Sequence, residues 1–185
     1  MTRIDICNNA LSQLGRDSIS SWDDESATAR QIKVFYETSV DRLLREHNWN
    51  FAMATAKLVE TKNEGIADYP VPCAVPLDCS RVIRLESRNK FIKRGNFIYC
   101  RNSNETVVYI RKDINAEDFD SAFTDCVTCM IAAKLAFANR DTQMASYFEQ
   151  QLRERIANAK SIDSIENVHD FQPGSFNSKF LNARR

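Results

Sequence analysis

Glycine and proline are scarce in this 185-residue sequence, with four of each. That scarcity excludes collagen-like, linker-like and low-complexity readings and predicts a chain rich in helix. An excess of charge of one sign is also missing. The 25 Lys and Arg balance the 25 Asp and Glu, so no basic field exists to hold duplex DNA by displacing counterions from phosphates. No run approaches the roughly 20 apolar residues of a membrane-spanning helix. The opening MTRIDICNNALSQLG has no apolar stretch of secretory-signal type, so a soluble protein made in a cytoplasm, without a membrane partner, is expected. Histidine is limited to His47 and His169, which leaves little for acid–base chemistry. No GxxxxGK(S/T), GxGxxG, HExxH or GxSxG pattern occurs, so nucleotide and hydrolase chemistry has no handle. The expectation is a protein that is not an enzyme and carries no cofactor.

What is present is helical periodicity. The length suits one domain with a sizeable core. Ile4, Cys7, Leu11 and Leu14 recur at three- and four-residue steps ahead of Gly15, a short opening helix with a left-handed stop. Ala29, Ile32, Tyr36, Val40, Leu43, Leu44 and His47 give a second helix with Ser26 as its cap, and Asp41 and Arg45 lie four apart on it as a supporting ion pair. A third helix starting at Asp118 or Asp120 carries Phe119, Phe123, Cys126, Met130, Ala133 and Phe137 on one face. Val127, Ile131 and Leu135 widen that face, as in a central core helix. Asp141 caps a fourth helix striped by Met144, Phe148, Leu152, Ile156 and Ala159, with Glu149 and Arg153 as a four-apart pair. The short Asn139-Arg140 turn predicts antiparallel packing of the last two helices.

Between these helix pairs the pattern changes. It weakens from Phe51 to Leu58, and Tyr69-Pro70-Val71-Pro72 with Val75-Pro76 imposes extended backbone. The runs 81–85, 91–93, 97–99 and 106–110 are β-branched and aromatic, and turns at 94–96 and 102–104 separate three of them. The expected fold class is mainly α: a helical bundle in residues 1–166, with a small antiparallel β meander inserted at about 68–113. Residues 167–185 form an extended C-terminal arm whose apolar anchors Phe171, Phe176, Phe180 and Leu181 and terminal Arg184 and Arg185 await a partner surface.

Candidate chemistry reads mostly as packing. Cys126-x-x-Cys129 sits in an apolar stripe with no second pair of ligands nearby, so packed free thiols are expected rather than metal or redox chemistry. His47 falls on an apolar stripe next to Trp49 and reads as a hydrogen-bonded core histidine. Asp23, Asp24 and Glu25 read as turn and capping residues rather than a cation site. Trp49 and Phe51 would need a basic groove to stack bases, and the sequence offers none.

A set of short segments appears in order along the chain: Asn9-Ala10-Leu11 with Leu14-Gly15, Asp23-Asp24-x-Ser26-x-x-Ala29, Tyr36, Arg42-x-Leu44 and Trp49-Asn50-Phe51-Ala52. Val75-Pro76-Leu77-Asp78-Cys79-Ser80-Arg81-Val82 and the terminal Phe180-Leu181-Asn182-Ala183-Arg184 continue the series. Together they resemble the tail tubular protein A and head-to-tail adaptor family of short-tailed bacteriophages, although Ala138-Asn139-Arg140-Asp141 departs from that family's more apolar, threonine-containing turn. The resemblance implies a virion protein at the head–tail junction, in a ring of about twelve copies. That ring would bind the portal protein above and the tail nozzle protein below, with genomic DNA passing through its channel without sequence-specific contact. The alternative from composition alone is a small non-enzymatic adaptor or nucleic-acid-associated module acting as monomer or dimer.

Overall fold

Thr2 starts the first helix through a reciprocal capping box. Its hydroxyl accepts the Asp5 N–H at 3.3 Å while the Asp5 carboxylate accepts the Thr2 N–H at 2.9 Å. In the computed structural model, which describes residues 1–166, α1 spans Arg3–Gln13 and α2 Ala27–Glu46. The Ser26 hydroxyl accepts the Ala29 N–H at 3.1 Å, the capping role its position predicts. After the strands, α3 (Ser121–Ala138) starts on Asp120, and α4 (Thr142–Glu166) starts on Asp141, whose carboxylate accepts the Met144 N–H at 3.0 Å.

α1 and α3 end alike. Gly15 (φ 64°) donates to Ser12 and Arg16 to Leu11, each at 3.0 Å; Arg140 (φ 61°) donates to Phe137 and Asp141 to Ala136, again at 3.0 Å. Both are Schellman closures that place one residue in the left-handed region. Glycine fills that position after α1, but α3 uses an arginine. The tight closure sends α4 back along α3, and α3 also packs on α1 and α2. Among the described residues, α3 alone is long and apolar enough to cross a membrane by composition, and two thirds of it is buried as the central core helix.

The inserted strands differ from the sequence reading in extent and arrangement. They begin with β1 at Met53–Lys57 and β2 at Val59–Glu60, ahead of the expected start near residue 68. β1 reads MATAK, with no β-branched residue but Thr55, and its side chains alternate between exposed and half-buried. Nothing in its composition announces a strand; pairing with β7 (Thr106–Arg111) makes it one. The others are β3 (Val71–Ala74), β4 (Cys79–Leu85), β5 (Ile92–Arg94) and β6 (Phe97–Cys100). They form two antiparallel sheets, β1-β7-β4 and β2-β3-β6-β5, instead of a single meander. The turn at Gly95-Asn96 joins a hairpin as expected, whereas the 102–104 turn carries the chain from one sheet to the other.

With 48% helix and 20% strand among the described residues, the fold is mixed α/β rather than mainly α. Its elements lie in three layers. Ile110 of β7 joins the core built from α1 to α4, and Ile83 packs against it. Val107 and Tyr109, on the opposite face of the same strand, join Leu85, Cys73, Ile98 and Cys100 between the two sheets. The period-two alternation of a strand thus links two cores. The expected side-chain ion pairs on the helices do not form. Arg45 reaches the Ser80 carbonyl and Arg153 the Glu149 carbonyl, while among the described residues Lys160 pairs with Glu46 and the His47 ring meets the Asp163 carboxylate. Solvated four-apart pairs stabilise by only a few tenths of a kcal/mol, so other acceptors compete readily.

Candidate functional site

Where α2 runs out, the chain crosses from the helices into the sheets through His47-Asn48-Trp49-Asn50. Trp49 is 1% exposed, and its indole N–H donates to the Leu43 carbonyl at 2.7 Å. His47 and Phe123 meet its ring edge-on at 5.0 and 5.1 Å, and Phe51 stacks at 6.3 Å. Phe51 and Phe119 complete the cluster against Phe123. A ring enclosed in this way has no face for a base to stack on, so Trp49 is a packing residue.

Asp163 near the end of α4 closes the same junction. Its carboxylate meets His47 Nε2 and accepts the Asn50 N–H, both at 2.9 Å, and its carbonyl accepts the Asn50 side-chain amide at 2.8 Å. Arg81 on β4 donates to the His47 carbonyl at 2.9 Å and the Asn48 side chain at 2.8 Å. One polar knot therefore ties α2, β4 and α4. The role of Asp163 escaped the sequence reading, although its position four residues beyond Ala159 on the buried stripe is a usable signal: a carboxylate on an apolar face needs partners.

The cysteines are free thiols, five buried and Cys79 half-buried. Burial pushes the Cys126 thiol up to about 12 and the Cys129 thiol upward as well, and Cys129 lies 3.3 Å from the Phe148 carbonyl. Thiols held protonated in this way are poor nucleophiles and poor ligands. No three His, Cys, Asp or Glu among the described residues are arranged to hold a metal. Asp24 accepts the Ser26 N–H at 2.8 Å, which holds its carboxyl below the usual range and assigns it to the turn before α2.

One expected core residue faces outward. Phe137 is 72% exposed, because the α3 closure begins there and turns α4 away before it can cover the ring. It lines a groove of about 310 Å³ between α2, α3 and α4, together with Phe35, Met130, Ala133 and Leu152. Arg42, Lys134 and Glu149 supply its charges. Lys134 donates to the Thr38 hydroxyl at 2.7 Å. Desolvation, with a smaller contribution from Arg42, lowers its ammonium pKa. The predicted partner-binding residues Phe171, Phe176, Phe180, Leu181, Arg184 and Arg185 lie outside the described residues.

Compared with known proteins, the chain matches no family model and no curated sequence.

Proposed function

We propose that the chain is a structural subunit of a phage head-to-tail connector, one copy of a ring beneath the portal that carries the DNA channel on toward the tail. The observation that carries this reading is the ordered series of family-like segments, whose residues hold the junctions of the fold. Gly15 closes α1, Ser26 caps α2, Trp49 and Asn50 anchor the crossing into the sheets, and Arg81 ties β4 back to that crossing. Residues that fix element junctions set the shape of a subunit, which is what cyclic assembly repeats. The near-zero net charge suits a wall past which DNA slides better than a surface that grips it.

In the finer form of this reading, the helices are the scaffold that meets neighbouring copies, the two sheets are the inserted module, and residues 167–185 are an arm that reaches a partner through Phe171, Phe176, Phe180 and Leu181. Each such side chain contributes roughly 1.5 to 3 kcal/mol when fully buried, offset in part by chain ordering. The test is co-sedimentation of the purified chain with the portal assembly of the same phage. Saturable binding at a stoichiometry matching a ring is expected. A chain that stays in the supernatant at all ratios sinks the connector reading.

A further inference from the structure

The groove beside Phe137 combines an exposed aromatic ring with two cations, Arg42 and Lys134, against one lining carboxylate, Glu149. Its complement is an aromatic side chain next to an acidic one. In residues 167–185 the only acidic residue is Asp170, and it directly precedes Phe171. Phe176 sits between Ser175 and Asn177, while Phe180-Leu181 lies between Lys179 and the terminal arginines. Charge therefore selects Asp170-Phe171.

Reach then decides whose Phe171 it is. From Glu166 back to Leu152 in the groove, α4 measures about 21 Å at 1.5 Å per residue. The five residues to Phe171 span at most about 17 Å fully extended, and they must first reverse direction. Phe137 lies farther still, at the closure where α4 begins at Thr142, about 36 Å from Glu166 by the same rise, so a chain cannot lay its own Phe171 on both Phe137 and Leu152. We propose that the groove receives the Asp170-Phe171 segment of a second copy, with the phenyl ring against Phe137 and Leu152 and the carboxylate toward Arg42 and Lys134.

Such a contact is heterologous: each copy gives one surface and receives another, so it propagates around a ring. The inference names the copy-to-copy contact of the proposed connector and rests on that reading only for closure of the ring.

Sedimentation velocity on the full chain tests it. The wild-type chain should self-associate with rising concentration. F171A should weaken association roughly tenfold, as loss of an interface anchor does. R42E and D170R should each weaken it, and the R42E/D170R double variant should recover it. Circular dichroism melts check that every variant folds. A full chain that remains monomeric, F171A with unchanged association, or a double variant without recovery would each overturn the contact. Bismaleimide bridging adds a test of reach. A mixture of A138C and Q172C, which keeps both rings and places the thiols beside them, should give cross-linked dimers, whereas bridging only inside the A138C/Q172C double variant would place the segment in its own groove and refute the second-copy assignment. F171A rings forming normally on the portal would remove this contact and leave the connector reading intact. Wild-type chain that self-associates as described yet ignores the portal would do the reverse.

Discussion

Replacing Trp49 tests the crossing between helices and sheets at its most buried point. The ring is 1% exposed, meets three aromatic rings and donates one hydrogen bond to Leu43. Trp49→Ala removes the largest fully buried side chain of the protein and leaves a cavity the aromatic cluster cannot fill without moving. The loss should reach about 3 to 5 kcal/mol. Trp49→Phe keeps most of the ring packing but gives up the N–H and some volume, so about 1 to 2 kcal/mol is expected. For a domain of this size the alanine variant should melt about 10 °C lower. Urea denaturation followed by far-UV circular dichroism measures both. A Trp22→Phe background leaves Trp49 as the single indole reporter, with the blue-shifted emission of a dry site. If Trp49→Ala lost less than about 1 kcal/mol, or acrylamide quenched the native emission freely, the side chain would be accessible and base stacking would return as a role.

The two matched helix closures give opposite expectations. Arg140→Gly should stabilise by about 1 kcal/mol because it relieves a left-handed residue that carries a Cβ, whereas Gly15→Ala should lose about as much, since the new methyl meets no neighbouring atom and only the backbone is strained. Thermal melts that ranked these variants the other way would show that the closures do not set the strain. The Thr2 backbone N–H, and then its hydroxyl, hold the Asp5 carboxyl below the usual range. A depressed folded-state pKa contributes stability that is present above the unfolded value and lost as pH falls through the folded one. The melting difference between wild type and Asp5→Asn should therefore shrink below about pH 4, and a difference constant down to pH 2 would contradict the capping role.

Helices were legible because their signals are local and redundant. The stripe of α2, the Ser26 cap, the Gly15 stop and the Asp141 start each repeat the same message within a few residues. β1 was not legible, since Met53-Ala54-Thr55-Ala56-Lys57 takes its strand conformation from β7, more than 50 residues later in the chain. The division into two sheets was hidden for a related reason: β6 and β7 are adjacent in sequence with a good turn between them, yet each finds its partners elsewhere. Phe137 kept the right helical phase for the core but sits in the last turn of α3, where the buried face has no neighbour left to meet. Of the junction knot, Trp49 stood out as a large aromatic next to a helix end, whereas Asp163 showed only as a carboxylate on the apolar stripe of α4, and its partners His47 and Asn50 lie more than 100 residues earlier in the chain.

The placement of β7 has a consequence for how the protein unfolds. Ile110 lies in the core of α1 to α4, and Val107 and Tyr109 on the other face of the same strand lie in the core between the sheets. Neither core can keep its packing while β7 leaves. An inserted module attached only by its two ends would open alone, but here the insertion supplies an interior residue to the scaffold, so helices and inner sheet should form one cooperative unit. Ile110→Ala should cost about 2 to 5 kcal/mol. That cost should appear equally in Trp49 fluorescence, which reports the helical core, and in hydrogen exchange of the β7 amides, which reports the sheet. Native-state exchange of the wild type should likewise give β7 and α3 the same opening free energy, equal to that of global unfolding. If the β7 amides opened several kcal/mol more easily than those of α3 while Trp49 kept its native emission, the strand would belong to a separable module, and the helices would have to hold their core without Ile110.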